Sequence, residues 1–257
     1  MLHVTPDEIA QTLQTHLWPF LRISALLLAA PLFSAASIAV RVRVILALTV
    51  SVLIAPLLPS PPVVDLISGI SVLLALQEVL IGVAMGFVMQ LVFGAVVVAG
   101  QAIAMSMGLG FAMSVDPQNG VQVPVVSQLN VVLATLIFLA IDGHLMLLSL
   151  LVESFTLLPV AGLINDTGLF SAVVALGSQL FANAVLLSLP TLTAILMINV
   201  AFGVITRAAP QLNIFAVGFP VTILVGFLFM LLSLPTFINA LERFLTLGLD
   251  QAARVLL

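Results

Sequence analysis

Long apolar blocks separated by short polar turns run through almost the whole chain. A helix needs about 20 mostly apolar residues to cross a membrane. By that measure the pattern predicts six membrane spans, over residues 18–40, 44–58, 66–99, 121–164, 169–206 and 214–241. The fourth block is interrupted at residues 141–144, and it is predicted to form a hairpin or a kinked pair of helices.

The two ends of the chain are predicted to form amphipathic helices outside these spans. Residues 5–8 have the order of a helix start: a capping threonine, a proline in the first turn, and two acids near the positive end of the helix dipole. The early acids also argue against a cleavable signal peptide. The tail, residues 242–257, has helix-spaced apolar residues and mixed charge, so it is predicted to lie on a membrane interface.

The composition agrees with a membrane protein. The chain is 63% hydrophobic and 6% charged, with a net charge of −4 and no cysteine. Soluble domains carry roughly a quarter charged residues, so this chain lacks the polar surface to cover a globule in water. The fold is therefore predicted to be an all-α integral membrane protein with long kinked helices, because only helices and closed barrels satisfy their backbone hydrogen bonds in lipid.

The arginines suggest an orientation in the membrane. Arg41 and Arg43 follow the first predicted span, and Arg207 follows the fifth. The positive-inside rule then predicts that these residues are cytoplasmic and that the N-terminus lies outside. Arg243 and Arg254 disagree with that orientation, because six spans would place them outside as well.

Glu78 is an acid inside the third apolar block. A carboxylate in hydrocarbon is costly, so the side chain is predicted to face protein or water rather than lipid. Gly82 and Gly86 follow at four-residue spacing and form a smooth helix face. Two interpretations remain open: a buried hydrogen bond to a neighbouring helix, or a site that handles ions or protons. Gln90, in the same block, is predicted to be buried or to contact another subunit.

Two polar turns hold further candidate residues. Asp142 and His144 flank Gly143. They indicate either a tight turn, in which the aspartate caps the backbone and the glycine supplies the unusual dihedral angles, or a proton relay. Arg207 and Gln211 belong to a hairpin tip that is either a solvated turn or a contact with another subunit. No catalytic motif, no nucleic-acid-binding stripe and no set of metal ligands or cofactor motif is found, so the sequence does not indicate an enzyme.

Four motifs, taken together, resemble one known family. They are QEVLIG at 77–82, GLGFAMSVDPQNG at 108–120, FLAIDGH at 138–144 and RAAPQLNIFAVGFP at 207–220. In this order they resemble the FliR family, which is the flagellar branch of the type III secretion export gate. The resemblance covers roughly residues 18–240.

The resemblance implies a single export-gate membrane domain over residues 1–257. Residues 1–165 are expected to be similar to the partner protein FliP, and residues 166–257 to the two-helix partner FliQ with an added tail. The chain departs from FliQ at Val221, where FliQ proteins usually carry lysine.

The same resemblance implies the setting of the protein. It predicts a helical assembly with about five copies of FliP, about four of FliQ and one of this chain. FlhB, FlhA, membrane lipid and exported flagellar proteins are the other expected partners. The expected location is the bacterial inner membrane at the flagellar basal body, raised towards the periplasm.

Residues 101–120 are too rich in glycine for a confident membrane helix and too apolar for an ordinary surface loop. The resemblance implies that residues 105–120 form a plug loop that closes the pore. Six residues are expected to form this plug: Met105, Met107, Gly108, Gly110, Phe111 and Met113. Methionines fill irregular gaps, an apolar constriction keeps ions out by remaining dry, and glycines let the backbone move. The alternative is a flexible connector between spans.

A different functional class is the runner-up. In a secondary transporter of small solutes, Glu78 and the interrupted blocks would form a site at the bilayer midplane. Such transporters commonly contain two matching halves, and the sequence shows no convincing repeat.

Overall fold

The computed structural model describes residues 6–35, 38–59, 61, 63–65, 67–109, 124–160, 168–209 and 214–254. These residues form helices and turns, and no strand occurs among them. The helices are α1 (Pro6–Ala29), α2 (Val40–Ile54), α3 (Gly69–Ser106), α4 (Val125–Ala140), α5 (Gly143–Leu157), α6 (Gly168–Ala208) and α7 (Ile214–Arg254). A short 3₁₀ turn, Ala55–Leu57, continues α2. The prediction of an all-α integral membrane protein is confirmed.

Three helices are much longer than a bilayer requires. Helix α3 has 38 residues and α6 and α7 have 41 each. At about 1.5 Å per residue, a helix of some 40 residues extends about 60 Å, against about 30 Å for the hydrocarbon core. Pro190 lies inside α6, as the fifth predicted block anticipated, and α7 contains Pro220 and Pro235.

The prediction of six spans is wrong for the part of the chain that the structure describes. Four helical stretches are long and apolar enough to cross a membrane: Val40–Leu57, Gly69–Ser106, Val174–Ala208 and Val217–Arg254. A fifth span results if α4 and α5, which are separated by a break at residues 141 and 142, count as one interrupted span. The predicted interruption of the fourth block is therefore confirmed.

The first predicted block, residues 18–40, is divided between two helices. Helix α1 begins at Pro6, where the pattern of residues 5–8 predicted a start, and it ends two residues before Pro31. A proline has no N–H to extend a helix, and it disfavours helical geometry in the residue before it. Hydropathy averaged over a window is not sensitive to this effect of proline. The prediction of one continuous span over residues 18–40 was therefore wrong.

Arg41 and Arg43 consequently lie in the first turn of α2 instead of following a span. The Nη2 atom of Arg43 donates to the carbonyl oxygens of Ser34 at 3.1 Å and Ala35 at 2.7 Å. Arg43 therefore holds the turn after α1. The predicted membrane orientation loses the six-span count on which it rested and remains a prediction.

The C-terminal tail is helical, as its spacing predicts, and its position on a membrane interface stays a prediction. Residues 242–254 continue α7 without a break. Leu241, Leu245, Leu249 and Ala252 recur at helical spacing and are buried. The apolar face of the tail is therefore covered by protein.

The chain divides into two compact units. The first consists of Met1–Leu91, Asp142–Leu176 and Thr246–Leu257, and the second of Val92–Ile141 and Gly177–Leu245. The boundary predicted between residues 165 and 166 lies outside the described residues.

Buried side chains of α1, α3 and α5 form the interior of the first unit, among them Trp18, Leu26, Met85 and Leu151. The side-chain amide of Gln14 donates to the Val64 carbonyl at 2.7 Å, and its oxygen accepts from the Val64 N–H at 3.1 Å. This pair of bonds fastens the proline-rich stretch before α3 to α1.

The second unit contains a core of apolar residues from α3, α4 and α6. Its fully enclosed members are Ile103, Ala104, Met107, Val126 and Ile195. Partly buried side chains of α7, Ile223 and Met230, pack against this core. Between α3 and α4, the rings of Phe93 and Phe138 meet edge to face with their centroids 6.0 Å apart. The end of α3 is therefore built into the core.

Candidate functional site

Glu78 is paired with an arginine that the sequence pattern did not connect to it. Arg22 of α1 donates from Nε to Oε2 of Glu78 at 2.7 Å and from Nη2 to Oε1 at 2.9 Å. Both side chains are 0% exposed. A guanidinium has the fork geometry to bind both oxygens of a carboxylate, and such charge-assisted pairs are stronger than neutral hydrogen bonds.

The other donors of Arg22 reach α5 and the residue after it. Nη1 donates to the Ser154 hydroxyl oxygen at 2.9 Å, and Nη2 also donates to the Leu158 carbonyl at 2.8 Å. The guanidinium carbon lies 4.0 Å from the centroid of the Phe155 ring, which adds a cation–π contact. One arginine therefore connects three helices of the first unit.

The two glycines after Glu78 allow α3 to approach α1 closely. A Cβ on Gly82 would collide with the Arg22 carbonyl oxygen and would lie 2.8 Å from the Ala25 Cβ. A Cβ on Gly86 would lie 2.6 Å from the Ala29 Cβ. The backbone of α1 runs directly over this face of α3, and this close approach brings Arg22 within reach of Glu78.

The geometry at Glu78 is that of a structural pair. Both carboxylate oxygens accept bonds from Arg22, and the group has no contact with solvent. A site for an ion, a proton or a solute needs access and an uncommitted ligand atom, so the transporter interpretation gains no support here. One signal in the sequence pointed to Arg22: a lone arginine inside a predicted span needs a buried partner of opposite charge.

The start of the methionine- and glycine-rich segment is helical. Helix α3 continues to Ser106, seven residues beyond the predicted block, and includes Met105. Gly108 then adopts a left-handed conformation, with φ of +81°. The N–H of Gly108 donates to the Met105 carbonyl at 3.1 Å, and the N–H of Leu109 donates to the Ala104 carbonyl at 3.0 Å. These two bonds and the positive φ define a Schellman motif, which ends a helix at a glycine.

Met107 is buried against α7 in the second unit. Its side chain is 0% exposed, and its Cγ, Sδ and Cε atoms lie 2.7–2.8 Å from the position that a Cβ on Gly226 would occupy. A Cβ on Gly108 would lie 2.5 Å from Cε1 of Phe219. The Thr222 hydroxyl donates to the Phe219 carbonyl at 3.0 Å and lies 3.4 Å from the Met107 carbonyl oxygen.

Phe219, Thr222, Ile223 and Gly226 recur at intervals of three and four residues, so they share one face of α7. We call this face the α7 socket. It holds the base of the segment through the Met107 side chain, the Met107 carbonyl and the backbone of Gly108. Sequence reasoning singled out Met107 and Gly108 but missed the socket, because its members are ordinary residues of an apolar helix.

The remaining residues of the predicted plug are placed only in part. The side chain of Met105 is exposed, at 64%. Gly110, Phe111 and Met113 lie outside the described residues. The segment therefore combines a buried base at Met107 and Gly108 with an exposed methionine, Met105, two residues before Met107.

The other candidate polar residues do not converge on one site. Gln90 and Arg207 are exposed, the latter in the last turn of α6, and Gln211 lies outside the described residues. For Gln90, of the two predicted roles, only contact with another subunit agrees with its exposure.

Asp142 forms the turn between α4 and α5 in an unexpected way. The aspartate itself has the left-handed conformation, with φ of 56°, while Gly143 is the first residue of α5. The side chain makes no capping hydrogen bond. The sequence interpretation had assigned the unusual dihedral angles to glycine and a capping bond to aspartate, and both details were wrong. Aspartate tolerates this conformation better than most residues.

The first unit also contains an open apolar groove of about 600 Å³. Ile9, Leu13 and Phe20 of α1 and Leu48 of α2 contribute to its wall, and Glu78 does not. Within the described ranges, no group of three or more acidic or histidine side chains is arranged to hold a metal ion.

Comparison with known proteins agrees with the motifs. The profile of the bacterial export proteins, family 1, matches residues 13–247. Flagellar biosynthetic protein FliR of Escherichia coli strain K12 is 42% identical over 235 residues, which cover 91% of this chain and 90% of that protein. FliR of Pectobacterium carotovorum subsp. carotovorum is 39% identical over 256 residues, or 100% of this chain and 98% of that protein.

A relative with lower identity is also similar along almost the whole chain. FliR of Bacillus subtilis strain 168 is 28% identical over 253 residues, covering 97% of both chains. The family match includes both parts of the candidate site, the Arg22–Glu78 pair and the α7 socket with Met107. The chain therefore belongs to family 1 of the bacterial export proteins.

Proposed function

We propose that this chain is a membrane subunit of the flagellar protein-export gate. The observation that carries the proposal is its similarity to flagellar biosynthetic proteins named FliR along nearly their whole length, at up to 42% identity. It would assemble with FliP and FliQ in the bacterial inner membrane, close to FlhA and FlhB, and would take part in moving unfolded flagellar proteins across that membrane.

The surface of the chain suits a subunit of a larger assembly. Within the most apolar stretches of the long helices, 61% of α3 is buried, but only 28% of α6 and 17% of α7. Both α6 and α7 extend well past the thickness of a hydrocarbon core of about 30 Å. Lipid alone cannot cover apolar helices of that length, so protein partners are needed for the rest.

We further propose that residues 105–120 close the export pore. A pore for unfolded chains has to admit any sequence and still exclude ions between passages. Apolar side chains at a constriction exclude ions by dewetting, and flexible methionines re-form contacts after a disturbance. Irregular backbone at membrane depth is tolerated when it is buried in protein or borders a water-filled cavity. The exposed Met105 and the held base at Met107 support a segment fixed at one end.

The test is a deletion in the assembled gate. The chain is co-expressed with FliP and FliQ, and the variant lacks residues 110–115, which leaves the Schellman motif at Gly108 in place. We expect the three proteins to co-purify as with the natural chain and the resting cells to take up small solutes at least several times faster. Met146→Ser and Met197→Ser, at exposed methionines outside the segment, are the matched controls and should leave uptake unchanged.

Two results would overturn the proposal. If FliP and FliQ fail to co-purify with the natural chain, the chain is not a gate subunit. If the deletion variant assembles fully and its membranes remain tight, residues 110–115 do not close the pore.

A further inference from the structure

The apolar groove of the first unit runs along α1, with α2 beside it. Its wall on α1 extends from Ile9 to Phe20, which is about 16 Å of helix at about 1.5 Å per residue. His16 also lines the groove, and its Nδ1 atom donates to the Thr12 carbonyl within α1 at 2.9 Å. The groove therefore presents mainly apolar surface.

An exposed arginine lies on α2 beyond the Phe20 end of this groove. The Ser51 hydroxyl donates to the His16 carbonyl at 2.9 Å, so α2 returns along α1 in the opposite direction. Arg41, in the first turn of α2, therefore lies past the level of Phe20. Within the described ranges, no ion pair or hydrogen bond engages the Arg41 guanidinium.

Apolar side chains connect Arg41 to the groove. Val44 and Leu48 follow Arg41 at helical spacing and share its face of α2. Both are exposed, and Leu48 belongs to the groove wall. About 10 Å of helix separates Arg41 from Leu48. A positive charge thus stands at the head of a continuous apolar path that leads into the groove.

The length of the groove matches one leaflet of a bilayer. Half of the hydrocarbon core is about 15 Å thick, which is the depth that one acyl chain covers, and the groove follows α1 for about 16 Å. The stretch Val40–Leu57 is apolar enough to cross a membrane and only 22% of it is buried, so α2 can meet lipid directly. A long arginine side chain near the end of such a helix extends to the headgroup level.

The volume of the groove does not suit a partner helix. A helix is at least about 10 Å wide, so a segment 16 Å long occupies roughly 1,300 Å³. The groove holds about 600 Å³. A helix could therefore rest only on its rim, whereas a single flexible acyl chain can enter it.

We propose that Arg41 and this groove form a binding site for one anionic phospholipid, with the phosphate on Arg41 and an acyl chain along α1. A guanidinium binds phosphate oxygens with two parallel N–H donors. Each CH₂ group of the acyl chain that leaves water or detergent for the groove adds to the affinity. The proposal requires only that α2 meets lipid, so it goes beyond the proposed function and does not depend on pore closure.

Trp18 provides the measurement, because it is the only tryptophan of the chain and lies between Leu17 and Phe20 of the groove wall. The full chain is purified in a non-ionic detergent, and phosphatidylglycerol with brominated acyl chains is added in steps. Bromine quenches indole fluorescence at short range, so an acyl chain in the groove lowers the emission of Trp18. We expect saturable quenching, at severalfold lower lipid concentration than with brominated phosphatidylcholine.

Two variants, each with a matched control, separate the headgroup from the acyl chain. Arg41→Gln should raise the concentration for half-maximal quenching about tenfold, and Arg254→Gln, at another exposed arginine, should not change it. Leu48→Gln should raise it severalfold. Leu53→Gln, at an exposed leucine on a different side of α2, should leave it unchanged. All four positions are exposed, so the variants are expected to fold.

Several results would overturn this lipid site. Quenching that does not saturate would mean that lipid only mixes with the detergent around the chain, and equal quenching in Arg41→Gln would mean that no headgroup is bound there. Competition by inorganic phosphate would indicate a site for a free anion. Loss of quenching when partner proteins co-purify would mean that protein covers the groove. The measurement on the chain alone needs neither FliP nor FliQ, so it can fail while the proposed function stands.

Discussion

Arg22 and Glu78 show how a membrane protein places charge inside an apolar chain. Both residues are fully buried, and the carboxylate, the Ser154 hydroxyl and the Leu158 carbonyl together accept bonds from all three guanidinium nitrogens. A guanidinium carries only donors, so a buried arginine needs acceptors for its N–H groups. The protein tolerates the buried pair because each charge neutralises the other. Such a pair adds little net stability, but removing only one partner is strongly destabilising.

Removal of one partner should therefore be worse than removal of both. We expect Arg22→Met or Glu78→Leu alone to lower the free energy of unfolding by about 3–5 kcal/mol, because each leaves a buried charge unpaired. The double variant Arg22→Met/Glu78→Leu should lose less than either single variant. Apparent melting temperatures of the purified complex, together with the amount recovered, measure the difference.

Two further variants make the comparison specific to burial. Glu78→Gln should fall between the natural chain and Glu78→Leu, because the amide oxygen still accepts a bond from Arg22. Arg254→Ala breaks an exposed pair with Asp250, 4.0 Å long with side chains 77% and 69% exposed, and it should have little effect. If the double variant loses as much as the two single variants added together, charge pairing is not what stabilises this cluster.

At the scale of helices, glycines decide where two elements come together. Gly82 and Gly86 allow the backbone of α1 to lie on α3, and Gly226 makes room for Met107 on α7. Gly177 and Gly203 of α6, in contrast, meet nothing within 4 Å. Spacing alone does not separate the two classes, since all of these glycines lie inside long apolar helices.

Adding one methyl group should have opposite effects in the two classes. Gly82→Ala should destabilise the chain by about 1–3 kcal/mol, because the new Cβ presses on the carbonyl of Arg22, which is backbone and cannot rotate away. Gly203→Ala should be neutral or stabilising by up to about 1 kcal/mol, since alanine is the better helix former. Melting temperatures of the two purified variants test this, and an equal change in both would contradict the packing argument.

At the scale of the whole molecule, the most apolar stretches of α6 and α7 lie largely outside the protein interior, since only 28% and 17% of them are buried. Soluble monomers rarely expose contiguous apolar patches beyond a few hundred Å². Here the exposed side chains include Phe181, Leu196, Leu224 and Leu231. Such helices need lipid or protein around them, which agrees with a family whose members work in export.

Arg207, exposed in the last turn of α6, is expected to act on partners and not on the chain itself. Arg207→Ala should change the stability of this chain by no more than about 0.5 kcal/mol, as surface substitutions usually do. It should nevertheless reduce the FliP and FliQ that co-purify and slow swimming. Arg254→Ala, also at an exposed arginine in the last turn of a helix, is the control. Normal co-purification and swimming in the Arg207 variant would remove this role.

The local chemistry of the chain was enough to predict the fold class and several boundaries. A helix start at Pro6, an interruption near Asp142 and a long helix through Pro190 follow from capping, turn and hydropathy rules. The count of six spans failed because hydropathy measures how apolar a residue is and does not say whether protein or lipid covers it. The later part of α1 is a case in point, since Ile23, Leu26 and Leu27 are buried within the protein.

By itself the sequence determined an all-helical membrane protein, the residues of an acidic and a methionine-rich candidate site, and the motifs of its family. Only the tertiary structure paired Glu78 with Arg22, 56 residues away, and seated Met107 on Gly226 of α7. Helix periodicity and capping act over a few residues, so they are readable along the chain. The packing of distant helices decides which residue partners a buried charge and which glycine makes room for a side chain. These contacts join residues far apart in the sequence, so no local pattern predicts them.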